Sequence, residues 1–150
     1  TLDEHAIEAS QIELEITESS IVHNRKSVVQ KLLTLNRRGI RIAIDDFGMG
    51  YSSLSYLKHL PIDTLKIDRN FVNDIGLQQQ KGCIVDAIIA LAKGLDLHLV
   101  AEGVENALQL EYLKQLGCTE VQGHLFATAQ PADDIARMLA KGLTYFSEVH

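Results

Sequence analysis

Acidic side chains stand at the carboxyl end of one short β-type run after another in this 150-residue chain. The ends read Glu13-x-Glu15, Asp45-Asp46, Lys66-x-Asp68 and Glu102, with Gln122 inside a later run. Converging carboxylates repel one another and raise each other's pKa unless a cation joins them. Glu15, Asp45, Asp46 and Glu102 are hard oxygen donors of the kind that Mg²⁺ or Mn²⁺ takes. Two adjacent aspartates resemble a two-metal arrangement, in which one carboxylate bridges and its neighbour holds the second ion. A lysine among those acids, Lys66, could stabilise an attacking hydroxide or a phosphate oxygen. Together the set points to hydrolysis of a phosphate ester. Any one of these acids taken alone reads equally as the solvated start of a loop.

The elements that must position them alternate strand with helix. The β-type runs are Ile12–Ile16, Ile40–Asp45, Thr64–Ile67, Leu97–Ala101 and Glu120–Leu125. Between them lie stretches with helical spacing: Ile84, Ile88, Leu91 and Leu95; Val28, Val29, Leu32 and Leu33; Leu108, Tyr112, Leu113 and Leu116. Gly39, Gly94, Gly117 and Gly142 follow helical patterns, where a left-handed residue closes a helix. Asn106 with Gln109 reads as a capping pair. Ser52 or Ser53 would cap a short helix that Pro61 ends. Strands joined through helices are parallel, so the choice lies between a (βα)8 barrel and an open doubly wound sheet. Alternation decides for the barrel. Arg41, Ala43 and Asp45 share one face and Ile42 and Ile44 the other; Thr64, Lys66 and Asp68 likewise oppose Leu65 and Ile67. A parallel sheet buried on both faces would read as continuous apolar runs. Polar inward faces that end in acids fit the mouth of a barrel, where active sites of that fold lie.

Composition narrows the partners. Fourteen Lys and Arg against twenty Asp and Glu leave a net charge of −6, which speaks against nucleic acid and membrane surfaces. The longest purely apolar run, Ala87–Ala92, is too short to span a bilayer. Cys83 and Cys118 form no CxxC and read as buried thiols in a reducing, cytoplasmic setting. Asp46-Phe47-Gly48 copies a kinase triplet without the rest of that signature, and Gly48-Met49-Gly50 lacks the third glycine of a dinucleotide fingerprint. The six histidines show no zinc spacing and there is no GxSxG elbow.

Glu13-Leu-Glu-Ile-Thr-Glu-Ser19, Asp45-Asp-Phe-Gly-Met-Gly-Tyr-Ser-Ser53, Leu65-Lys-Ile-Asp68, Val100-Ala-Glu-Gly-Val-Glu105 and Gln122-Gly123 occur in one order. That order resembles the EAL domain, a family of cyclic-di-GMP phosphodiesterases on a modified (βα)8, TIM-like barrel. The resemblance implies a two-metal site taking Mg²⁺ or Mn²⁺, with Glu15 and Asp45 on the metal beside the scissile phosphate. Asp46 and Glu102 would serve the second metal and its water. Lys66 resembles the lysine that meets the nucleophilic water, so Lys66 and Glu102 are the catalytic candidates. Gln122 and Asp68 resemble substrate contacts. Glu18 resembles the anchor of the loop after Asp46, and Glu105 is a second anchor candidate that reads also as an acid in the first turn of a helix.

The resemblance also implies what stands outside the chain. The family's Glu-Ala-Leu is absent, as is the asparagine ligand expected before the Glu15 strand. A whole barrel takes about 250 residues, so the expectation is the C-terminal part of a single EAL domain, 1–150, with about five βα units and the first strands missing. The opening Thr-Leu-Asp-Glu, without a methionine, reads the same way and shows no signal peptide. Met49, His124 and Ala127-Thr-Ala-Gln-Pro131 depart from the family pattern. The implied activity is hydrolysis of cyclic-di-GMP to linear 5′-pGpG by the intact domain, with the chain alone inactive. The alternatives are a cyclic-di-GMP receptor and a protein-interaction or dimerisation module. Implied partners are cyclic-di-GMP, a second copy in a homodimer or oligomer, and an upstream sensor or GGDEF domain.

Overall fold

A computed structural model describes residues 2–22, 25–48, 57–76 and 83–141. Met49, the proposed caps Ser52 and Ser53, and Gly142 lie outside them. Five parallel strands form one sheet: β1 (Glu13–Thr17), β2 (Arg41–Phe47), β3 (Thr64–Ile67), β4 (His98–Ala101) and β5 (Glu120–Val121). Their order in the sheet is their order in the chain. A doubly wound sheet reverses its order at a switch point; these strands never do. The sheet is the arc of a barrel.

The helices are α1 (Glu18–Val22), α2 (Arg25–Asn36), α3 (Arg69–Asn73), α4 (Cys83–Gly94), α5 (Ala107–Gln115) and α6 (Ala132–Ala140). Ile44, Leu65, Ile67, Leu99 and Ala101 form the outer face of the sheet and pack against Val85, Ile88, Ile89 and Ala92 of α4. Those four recur at i, i+3, i+4 and i+7, the stripe a helix turns to its core. The stripe is rotated from the one the sequence suggested: Ile84 is 45% exposed, and Ala92 lies on the buried side. Leu32, Ile40 and Ile42 make a second, smaller cluster under α2.

Helix ends follow the punctuation in part. Gly39 and Gly117 hold the left-handed φ values expected of them, 89° and 79°. Gly94 does not: it remains the last residue of α4, and Asp96 makes the left-handed turn instead (φ 56°). Asn106 and Gln109 cap each other reciprocally at α5. β1 runs one residue past its predicted end, to Thr17, and two strands depart further. β2 runs on to Phe47 through a bulge, and β5 stops at Val121 instead of Leu125. The reason for the second is local. Beyond Val121 the backbone turns to the Val104 loop, where Val104 N–H donates to Gln122 O and Leu125 N–H to Val104 O, both at 3.0 Å.

Candidate active site

Lys66 is the hub. Its strand neighbours Leu65 and Ile67 are pinned in the outer core, so the period of two turns Lys66 to the inner face, where it is 6% exposed. Its Nζ donates to Glu15 Oε1 at 2.5 Å and lies 2.6 Å from Glu102 Oε1 and 3.7 Å from Asp45 Oδ1. Those acids come from β1, from the residue after β4 and from β2, so three strands meet at one ammonium. Burial disfavours the charge on Lys66, but the bonds to Glu102 and Glu15 and the nearby Asp45 outweigh it, and its pKa is raised. A lower layer of the same face is tied by Thr64 Oγ1, which donates to Glu13 Oε2 at 2.7 Å.

Asp46 reaches this end of the sheet through the bulge. Ile44 pairs with Leu65 and Phe47 with Ile67, so three steps on β2 match two on β3. The extra residue is absorbed where Asp46 adopts φ 54°, and Asp46 N–H donates to Asp45 Oδ1 at 3.0 Å. Without the bulge, Asp46 would face the helices and Phe47 the inside. With it, Phe47 returns to the core at 6% exposure and Asp46 faces Asp68. The side-chain hydrogen bond with Asp68, then burial and the charges of Asp45, Asp68 and Glu102, raise the Asp46 pKa. Asp68 also caps α3, since its Oδ1 accepts from Asn70 N–H and Nδ2.

Glu18 and Glu105 do different things. Glu18 is buried at the start of α1 and its Oε2 accepts the Gly48 N–H at 3.0 Å, tying the end of β1 to the end of β2. Glu105 stands one residue before the Asn106 cap, outside α5, not in its first turn; its own N–H donates to Gln109 Oε1. The chain path explains this: residues 102–105 form the loop out of β4, and the cap begins only at Asn106.

A cleft of about 750 Å³ adjoins the hub. Its walls include Glu102, Glu105, Gln122, Arg69, His124 and Phe126. Thus the structure gathers Glu15, Asp45 and Glu102 at Lys66, sets Asp46 against Asp68, and puts Glu105 and Gln122 on the cleft wall. The sequence reading missed Arg69 and Phe126. Arg69 stood in plain view beside Asp68, but only the start of α3 turns it to the cleft. Gly103 and Gly123 let these walls close: a Cβ on Gly103 would lie 2.5 Å from Arg69 Cβ, and one on Gly123 would lie 2.1 Å from Val104 O.

Residues 1–129 match the EAL domain family. The chain belongs to the EAL domain family. It is 44% identical over 136 residues to the bifunctional diguanylate cyclase/cyclic di-GMP phosphodiesterase MucR of Pseudomonas aeruginosa, covering 91% of this chain and 20% of that protein. It is 45% identical over 130 residues to the cyclic di-GMP phosphodiesterase NbdA of the same organism, covering 87% of this chain and 17% of NbdA. The EAL chain therefore spans about a fifth of these relatives. The solved MucR phosphodiesterase, in complex with c-di-GMP, superposes with a TM-score of 0.85 at 45% identity, over 89% of this chain and 54% of that one. BlrP1 of Klebsiella pneumoniae, solved with c-di-GMP and manganese or calcium, gives 0.78 at 33% identity, over 85% and 32%. EAL domains are TIM-like barrels, and the five-stranded arc is part of one.

The donor chemistry of the cluster suits a divalent metal ion, because every acid in it is a hard carboxylate. The spacing is another matter: among the described residues no three acids are drawn together closely enough to hold an ion. At Glu15 and Glu102 it is the ammonium of Lys66 that holds them. No helix among the described residues is long and apolar enough to cross a membrane.

Proposed function

We propose that this chain is the C-terminal part, 1–150, of an EAL domain that hydrolyses cyclic-di-GMP to linear 5′-pGpG with Mg²⁺ or Mn²⁺. The observation that carries the reading is the convergence of Glu15, Asp45 and Glu102 on the buried Lys66 at the edge of the cleft. Relatives named as cyclic di-GMP phosphodiesterases support the substrate. Glu15 and Asp45 would hold one ion, and Asp46 and Glu102 the other. When bound, the ions activate a water and polarise the phosphoryl oxygen. Lys66 steadies the developing negative charge on the attacking oxygen and offsets the charge of the acids around it. Gln122 and Arg69 orient the nucleotide from the cleft wall. Asp68 holds Asp46 in place. Glu18 fixes Gly48, where the loop after Asp46 begins. Water adds to phosphorus, the bond to the 3′ oxygen breaks, and that oxygen leaves with a proton.

A receptor that bound without cleaving would be expected to lack a ligand or the lysine; Lys66 and the four acids are all present. In the longer protein the partners are an upstream sensor or GGDEF domain, in the cytoplasm. The 150-residue chain alone self-associates, because β1 and β5 each pair on one side only among the described strands, and it is inactive because the family's Glu-Ala-Leu and the asparagine ligand are absent from it. Incubating the longer protein with cyclic-di-GMP and Mn²⁺ should yield linear 5′-pGpG on a chromatogram, whereas bound but uncut nucleotide would overturn the reading. Light scattering tests the association: a stable monomer would refute it.

A further inference from the structure

We infer that Arg69 is the anion contact of the cleft, and that it holds the phosphate of a cyclic dinucleotide that is not cut. The inference rests on the nucleotide reading above and gives it one specific contact. At about 750 Å³ the cleft has the size that takes a small organic ligand. Its walls are acidic where Glu102 and Glu105 stand, which opposes the entry of a phosphate. Lys66, at its edge, already engages Glu15 at 2.5 Å and Glu102 at 2.6 Å, two of the three donors of an ammonium. Arg69 is the one lysine or arginine among the described residues of the walls. It is exposed, and no described carboxylate lies within ion-pair distance of its guanidinium. Its backbone is set from two sides. Asp68 caps α3 by accepting the Asn70 N–H, and the loop out of β4 crosses the Arg69 stem so closely that a Cβ on Gly103 would lie 2.5 Å from Arg69 Cβ. What stays unpaired is a planar fork that matches a phosphate bidentately. The phosphate that is cut belongs at the Lys66 cluster, which Arg69 does not join, so the second phosphate of the ring falls to Arg69. Val121 and Phe126 on the same walls supply apolar surface for a base.

Arg69 therefore governs binding more than the chemical step, and the split between KM and kcat reads it. In the longer protein with Mn²⁺, Arg69→Gln should raise the KM for cyclic-di-GMP about 10- to 100-fold, the effect of losing charge-assisted hydrogen bonds, while kcat falls by less than about tenfold. Bis(4-nitrophenyl) phosphate carries a single phosphate, so its kcat/KM should fall by about ten times less than that for cyclic-di-GMP. Arg69→Lys keeps the charge without the fork and should recover only part of the loss. An unchanged KM, or equal losses on the two substrates, would overturn the inference. If Arg69→Gln does not fold, Arg69→Lys decides: a KM severalfold above native supports the inference and a native KM refutes it. Calorimetry with Ca²⁺, the ion of one solved BlrP1 complex with c-di-GMP, separates the inference from the hydrolase reading. Should the native protein bind cyclic-di-GMP without cutting it, the hydrolase reading fails; weaker binding by Arg69→Gln then still supports the contact, and equal binding refutes it. No binding by the native protein would refute both.

Discussion

Replacing Glu18 by alanine tests how the aspartates are held. The Glu18 carboxylate is 4% exposed and accepts the Gly48 N–H at 3.0 Å, two residues after Asp46. Gly48 is at φ 98°, and a Cβ there would lie 2.8 Å from Phe71 Cε2, so the turn is confined on its other side by the core. A hydrogen bond to a charged partner contributes about 1.5–3 kcal/mol. Losing it should make local opening at Gly48 roughly 10- to 100-fold more frequent, at about 1.4 kcal/mol per factor of ten. Amide hydrogen exchange at Gly48 reads that factor directly, and a urea titration reads any change in global stability. Glu18→Gln retains an acceptor of the same reach without the charge. Because charge-assisted bonds are roughly twice as strong as neutral ones, it should recover about half of the effect. Unchanged exchange at Gly48 in Glu18→Ala would show that the carboxylate does not hold the turn.

Two further perturbations address the neighbouring features. Gly123→Ala puts a Cβ 2.1 Å from Val104 O and 2.3 Å from Val104 N, and moving away strains the paired backbone of Gln122 and Leu125. The expected loss is about 3 kcal/mol in a urea titration, and a loss below about 1 kcal/mol would mean the cleft wall is pliable. Asp46→Asn concerns pH. The folded pKa of Asp46 is raised above 3.8, so its contribution to stability is present at low pH and lost as pH rises through the folded value. In EDTA the variant should therefore melt higher than the native chain at neutral pH, with the gap closing as pH falls toward 3.8. A gap that is constant with pH would assign the effect to something other than charge.

Much of the arc was legible because strand periodicity and side-chain chemistry agreed. Leu65 and Ile67 are both fully buried in the outer core, and their alternation alone sends Lys66 the other way. The strand bounds at Thr64–Ile67 coincide with those read from the sequence. Four features escaped for physical reasons. A bulge has no signature in Ile44-Asp-Asp-Phe47, because aspartate enters the left-handed region without needing glycine. The end of β5 depends on hydrogen bonds to Val104, a residue distant in sequence. Gly94 read as a helix stop, but Asp96 could make the turn and α4 ran on to Gly94. The buried stripe of α4 includes Ala92, fully buried, which a search for large apolar residues passes over.

The bulge and the lysine answer the same difficulty. A regular strand presents one side chain in two to a given face, so two successive aspartates cannot both point inward. Inserting one residue at Asp46 puts both at the mouth while returning Phe47 to the core. That gain has a cost: Asp46 takes a left-handed backbone and its carboxylate faces Asp68, with Asp45 and Glu102 adding to the negative field. Lys66, placed on the adjacent strand by ordinary alternation, lies within 4 Å of Glu15, Asp45 and Glu102 and offsets the charge of those three acids. Sequence alternation alone could place the lysine but not the second aspartate. The cluster therefore depends on an irregularity in β2 being held open, and Glu18 at Gly48 is the contact positioned to hold it.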